Sequence, residues 1–294
     1  MAKVIIGIHG LSNKPQETQL HEWWLKAIND GLAKVGGTPV SAAQFKLAYW
    51  ADLMYPTFDP NPEPYTEPNT DEVDDDPSKL IDVGREFFSD IIGKFGDVKV
   101  QMTDSERIEG IKNAMREKIV EDLAAYYDDN STIQFTNRAG TQTRTALRAV
   151  LRELIEQHQA DDLLVIGHSM GSIIAYDVLR SLRDTAVKVR RLVTIGSPLG
   201  LANVKAKTRT EWDDKDGPFV PEVLTEGWAN YGDRKDLVCA DLTLDKEYKS
   251  SGGFSVQDVF ISNGYRHRKH NHHKSYGYLR TDPLAGYLKG FLAT

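Results

Sequence analysis

The chain has 294 residues, of which 40% are hydrophobic and 27% charged, and its formal net charge is −7. This is enough for one large domain, or two small ones, with ample core, and the negative balance argues against a general nucleic-acid or anionic-membrane surface. A single cysteine, Cys239, excludes an intrachain disulfide and fits a reducing compartment. No apolar stretch approaches a membrane span, and Met1-Ala2-Lys3 runs straight into a strand without a leader, so the expected location is cytoplasmic.

Val4-Ile5-Ile6-Gly7-Ile8 is a continuous apolar run, the mark of a strand buried on both faces. It ends in His9-Gly10-Leu11, where His9 reads as a buttress of the loop. Glu17 to Val35 has an apolar face of Leu20, Trp23, Trp24, Ala27, Ile28 and Leu32, which predicts a helix closed by Gly36-Gly37. Phe45 to Trp50 alternates as a second strand. Strand, helix, strand is the unit of a parallel sheet.

Asp52 to Asp76 departs from this pattern. Five prolines forbid regular helix and leave two readings, a solvated loop or the start of a lid, and the acidic run Asp74-Asp75-Asp76 reads as solvated charge. Helical patterns follow over Pro77 to Phe95, Asp104 to Asp128 and Thr143 to His158. More than a hundred residues between second strand and third exceed a simple crossover. Residues 52–140 therefore read as an insertion or cap within a single domain, 1–294.

Leu163-Leu164-Val165-Ile166 predicts a buried strand, and Ser172 to Leu179 a helix. Between them stands Gly167-His168-Ser169-Met170-Gly171, a Gly-x-Ser-x-Gly turn. Such an elbow strains the serine backbone and lifts its hydroxyl clear of the sheet, while the next helix aims its first N–H groups at the same place. The competing reading is a glycine-rich turn whose serine caps a helix.

Val187 to Ile195 predicts the next strand. Ser197, in Gly196-Ser197-Pro198, either lines a pocket at the strand's carboxyl end or serves the turn. Asn203 to Phe219, polar and irregular, reads as loop. Trp228 to Val238 predicts a short strand ending among carboxylates, where Asp236, Asp233 and, less favourably, Asp241 could orient a histidine. Cys239 beyond them reads as an inert core residue. Phe254 to Ile261 predicts a last strand and Asp282 to Leu292 a final helix. Between these lies His267-Arg268-Lys269-His270-Asn271-His272-His273-Lys274-Ser275-Tyr276. His267, His270, His272 and His273 lack zinc-site spacing and an adjacent carboxylate, so one histidine acting as general base is the preferred reading over a metal site.

Taken together, Ile8-His9-Gly10, the elbow, Gly196-Ser197-Pro198 and His273-x-Ser275-Tyr276 resemble the alpha/beta-hydrolase superfamily, and within it the bacterial lipase- and serine-esterase-like members. The resemblance covers both ends of the chain but not residues 52–140. It implies a mostly parallel, doubly wound α/β sheet and the order Ser…Asp…His. It implies Ser169 as nucleophile. Asp236 becomes the favoured acid, because an Asp before two apolar residues is similar to the Asp-Pro-Val of many lipases, and His273 precedes the Ser-Tyr pair that follows the histidine in such relatives. The backbone N–H groups of Met170 and Leu11, with Gly10 as the alternative to Leu11, become the oxyanion hole. The implied activity is ester hydrolysis through an acyl-enzyme, on a small-molecule ester or acyl substrate, with no metal or organic cofactor. An acyltransferase or thioesterase on the same residues is the alternative, and a non-catalytic binding module of the same fold the third. Oligomeric state stays open.

Overall fold

A computed structural model describes residues 1–67, 122–236, 238–239, 243–251, 253–267 and 270–294. The apolar run near the amino terminus forms strand β1 (Lys3–Ile8). Helix α1 (Glu17–Lys34) carries the chain to β2 (Phe45–Ala48), and a short α2 (Ala51–Met54) follows. After 122–127, which is helical, come α3 (Thr143–Gln157), β3 (Asp162–His168), α4 (Met170–Ser181) and β4 (Val189–Ile195). The remainder is α5 (Ala202–Trp212), β5 (Leu224–Asp233), α6 (Leu244–Glu247), β6 (Val256–Ile261), α7 (Ser275–Leu279) and α8 (Asp282–Ala293).

The strands lie in the order β2-β1-β3-β4-β5-β6, and every neighbouring pair is parallel. The sequence led us to expect a mostly parallel sheet; among the described residues it is wholly so. Because successive side chains on a strand point to opposite faces, Val4, Ile6 and Ile8 of β1 and Leu163 and Val165 of β3 enter one core with Leu147, Leu151 and Ile155 of α3 and Ile173 and Ile174 of α4. Ile5, Leu164 and Ile166 enter the other, with Leu20, Trp24, Ile28 and Leu32 of α1 and Leu284, Leu288 and Phe291 of α8. Burial on both faces is why β1 and β3 read as unbroken apolar runs. Each fully buried Leu, Ile or Val contributes roughly 1.5–3 kcal/mol.

β1 lies between β2 and β3, so the chain leaves it in opposite directions on its two sides. The carboxyl ends of β1 and β3 thus form a topological switch point, where open α/β sheets place their ligands. His9-Gly10-Leu11 and Ser169 both stand there.

Three expectations need correction. Asn203 to Phe219 is not all loop, because α5 occupies Ala202–Trp212. Only Val204 and Thr208 of that helix are buried, so it carried almost no apolar period. β5 is ten residues long rather than short. The helix α7, directly after the histidine cluster, was not anticipated. The expected helix at Pro77–Phe95 and most of that at Asp104–Asp128 fall outside the described residues. The trailing part of 52–140 is integral to the molecule, since Leu123, Tyr126 and Ile133 join the main core. Among the described residues no helix is long and apolar enough to cross a membrane.

Candidate active site

Ser169 sits between β3 and α4 with φ 53° and ψ −128°, a left-handed conformation costly for a residue with a Cβ. Its amide still pairs with the sheet, donating to Ile195 O at 3.1 Å. The turn closes only because α4 can cross β1 at backbone contact. A Cβ on Gly171 would stand 2.5 Å from Ile8 O and 2.6 Å from His9 O. Ser172, one residue on, ties the elbow to the next strand end through a 2.7 Å bond to Ser197 Oγ. Ser197 also accepts from Leu199 N at 3.2 Å, so it serves the turn.

The end of β5 supplies the carboxylates. Asp236 is buried, and its two oxygens lie 3.0 and 2.9 Å from His273 Nδ1. Tyr278 Oη donates to Asp236 Oδ2 at 2.6 Å and Val238 N to Oδ1 at 2.9 Å. Asp233, three residues earlier, instead meets His272 Nδ1 at 3.2 Å and accepts from Asn263 N at 2.6 Å and Lys235 N at 2.8 Å. The two aspartates are thus partnered by two adjacent histidines. Tyr278 joins the pairs, accepting from Asp233 N at 3.1 Å while donating to Asp236. β4 ends between these parts at Gly196, whose φ is +53°; a Cβ there would lie 2.9 Å from Asp236 Oδ2 and 3.1 Å from His273 Nδ1.

Side chains not singled out from the sequence hold the histidine loop. His168 Nε2 lies 2.7 Å from the carbonyl of His273, which can only accept, so the His168 proton resides on Nε2. Buried Asn263 donates from Nδ2 to the carbonyls of His272 and Lys274, at 2.8 and 2.9 Å. Only the position of His168 inside the elbow motif marked it; nothing marked Asn263 or Tyr278.

The loop after β1 faces the elbow so closely that a Cβ on Gly10 would come 2.6 Å from that of Ser169. His9 buttresses it, as expected. The His9 ring stacks on Trp50 at 4.6 Å, accepts from Trp50 N at 3.1 Å through Nε2, and donates from Nδ1 to Gly10 O at 2.9 Å. Lys14 Nζ donates to the carbonyls of Leu11 and Ser12. Among the described residues the amides of Leu11 and Met170 donate to no protein acceptor.

Ser169 and His273 line one cavity of about 260 Å³, together with Leu11, Trp24, His168 and Tyr276. Its outer wall is polar, with Lys14, Asn61, Glu63, Asn271 and Lys274, so part of the proline-rich 52–67 stretch borders the site. Among the described residues the Ser169 hydroxyl has no hydrogen-bond partner and none links it to His273; such contacts commonly tighten only with substrate bound. Burial lowers the Lys274 pKa, against the opposing pull of Glu63, 3.4 Å away. No group of three or more His, Cys, Asp or Glu among the described residues could hold a metal ion. Cys239 is buried, and burial raises its thiol pKa, as befits a core residue.

His9 and His168 make stability depend on pH. Burial holds both pKa values well below the ordinary 6.5, with Lys14 adding to the effect on His9 and His273 to that on His168. The unfolded chain therefore takes up protons below about pH 6.5 that the folded chain refuses. Stability is full above that pH and is lost on acidification. Between about pH 7.5 and 5 we expect a loss of up to about 2 kcal/mol per histidine, read from urea unfolding. Unchanged or rising stability over that window counts against two buried neutral imidazoles.

A family model described as thioesterase domain matches residues 111–236, a stretch holding Ser169 and Asp236 but ending before His273. Among solved structures, the chain is similar to a crystal structure of EstE5 soaked with p-nitrophenyl butyrate, at 16% identity and a TM-score of 0.31. That match covers 53% of this chain and 62% of the other, so the chain spans less than two thirds of that protein. No curated protein matches the chain.

Proposed function

We propose that the chain is an alpha/beta-hydrolase that cleaves carboxylic esters with Ser169 as nucleophile, His273 as general base and Asp236 as the orienting acid. One observation carries the reading. A serine held in a strained elbow opens onto the same cavity as a histidine whose far nitrogen is fixed by a buried carboxylate. With Nδ1–H committed to Asp236, the lone pair of His273 resides on Nε2. Nε2 takes the Ser169 proton as Oγ attacks the ester carbonyl, and Asp236 stabilises the imidazolium. The oxyanion is received by the amides of Met170 and Leu11, each worth about 2.7–4 kcal/mol when preorganised. His273 then protonates the departing alcohol, leaving an acyl-serine. Water, deprotonated by His273, releases the acid and restores Ser169. The modest cavity and its polar outer wall favour a small acyl group over a long alkyl chain.

The family match favours a second reading, in which the same residues act on a thioester. Paired oxygen and sulfur esters of one short acid distinguish the two by kcat/KM. We expect a fluorophosphonate to label the protein at Ser169 and a short-chain ester to be turned over. Absence of both would overturn the proposal.

A further inference from the structure

We propose that the helical stretch 122–127 is a clamp that sets the spacing of the two oxyanion donors, with Asp122 and Tyr126 as positioning residues. The inference rests on the assignment of Leu11 and Met170 as those donors.

The two amides come from elements far apart in the chain, a loop after β1 and the first turn of α4. One short segment touches the support of each. Asp122, 3% exposed, accepts from Ser12 N at 2.7 Å through Oδ2 and from Tyr55 Oη at 2.7 Å through Oδ1. Ser12 directly follows Leu11, and its φ of 70° is unfavourable for any residue but glycine. The carboxylate therefore holds the loop in a conformation it would otherwise leave, and the peptide unit next to the Leu11 donor turns with it.

Tyr126 lies one turn further along the same face, since residues four apart on a helix are neighbours. Its hydroxyl donates to Asp177 Oδ2 at 2.6 Å and accepts from Arg148 Nε at 2.8 Å. Arg148 Nη2 also reaches Asp177 Oδ2, at 2.6 Å. Asp177 is in α4, seven residues after Met170, two turns away on the same face. Between the two polar contacts, Leu123 shares a core with Met170, and Leu11 packs against it. Loop, segment and elbow helix thus form one chain of contacts with the donors at its two ends.

Asp122→Ala orphans Ser12 N–H and frees the loop. Asp122→Asn keeps an oxygen for Ser12 and an amide for Tyr55, whose hydroxyl can turn to accept. Tyr126→Phe cuts the other end. The measurement compares an ester with its thionoester, whose sulfur makes weaker use of N–H donors. We expect Asp122→Ala and Tyr126→Phe to lower ester kcat by about 10- to 100-fold with KM changed less than about 3-fold. The ester-to-thionoester ratio should fall at least about 5-fold, and Asp122→Asn should restore most of it. Equal loss on both substrates, or an unchanged ester kcat, would overturn the clamp. If Asp122→Ala fails to fold, Tyr126→Phe and Asp122→Asn carry the same comparison. A wild-type protein inactive on esters would instead strike the proposed function.

Discussion

Ser169→Ala is expected to lower ester kcat by roughly 10⁴- to 10⁶-fold while leaving the fold intact. The size follows from removing the only protein atom in the scheme that bonds to the acyl group. Intact folding follows from the environment. The Ser169 hydroxyl bonds to nothing among the described residues, whereas the backbone bond from its amide to Ile195 O survives the change. Alanine meets the same backbone strain at φ 53° as serine, so the melting temperature should stay within about 3 °C. The check is steady-state turnover of a short nitrophenyl ester beside a thermal melt. Retained turnover in a folded variant would remove Ser169 from the mechanism.

The second large effect concerns the acid. Asp236→Asn should lower kcat by about 10³- to 10⁴-fold, and Asp233→Asn by no more than about 10-fold. Asp236 accepts from three donors, His273 Nδ1, Tyr278 Oη and Val238 N. An amide offers one acceptor oxygen and an NH₂ group that must itself find an acceptor. Presented with that NH₂, His273 moves its proton to Nε2, where the base needs a lone pair. Asp233 holds His272 and the backbone of Asn263 instead, so its loss falls mainly on the loop. If Asp233→Asn proves the more damaging, the acid is Asp233 and the scheme must be redrawn around His272.

The sequence made the sheet legible where burial is two-sided. β1 and β3 are apolar on both faces, and a short unbroken apolar run that ends in a glycine-containing turn suits a doubly buried strand. The elbow was legible because its glycines and serine have fixed spacing. By contrast, α5 buries only Val204 and Thr208, so its helical period could not be seen. The pairing of carboxylates with imidazoles was not readable either. Asp233 and Asp236 stand three apart, and His272 and His273 are adjacent, so local pattern cannot tell which meets which. Nothing in the sequence marked Tyr278, which touches both aspartates. Likewise Arg148, Asp177 and Tyr126 each sat in helical patterns as ordinary polar positions. Their meeting is a fact of tertiary packing alone.

The place of β1 in the sheet has a consequence for how the molecule is made. Each rung joining it to β3 spans 159 residues, from Lys3 opposite Asp162 onward. At ribosomal speeds of about 5–20 residues per second, that edge of the strand waits roughly 8–30 s for its neighbour. During that time an apolar strand with one open edge invites aggregation, and contacts so distant along the chain make folding slow. The same event that ends the wait also brings Gly10, in the loop after β1, against Ser169. Asp236 and His273 come later in the chain, so the elbow already stands against this loop while the candidate site stays incomplete until β5, β6 and the histidine loop have joined.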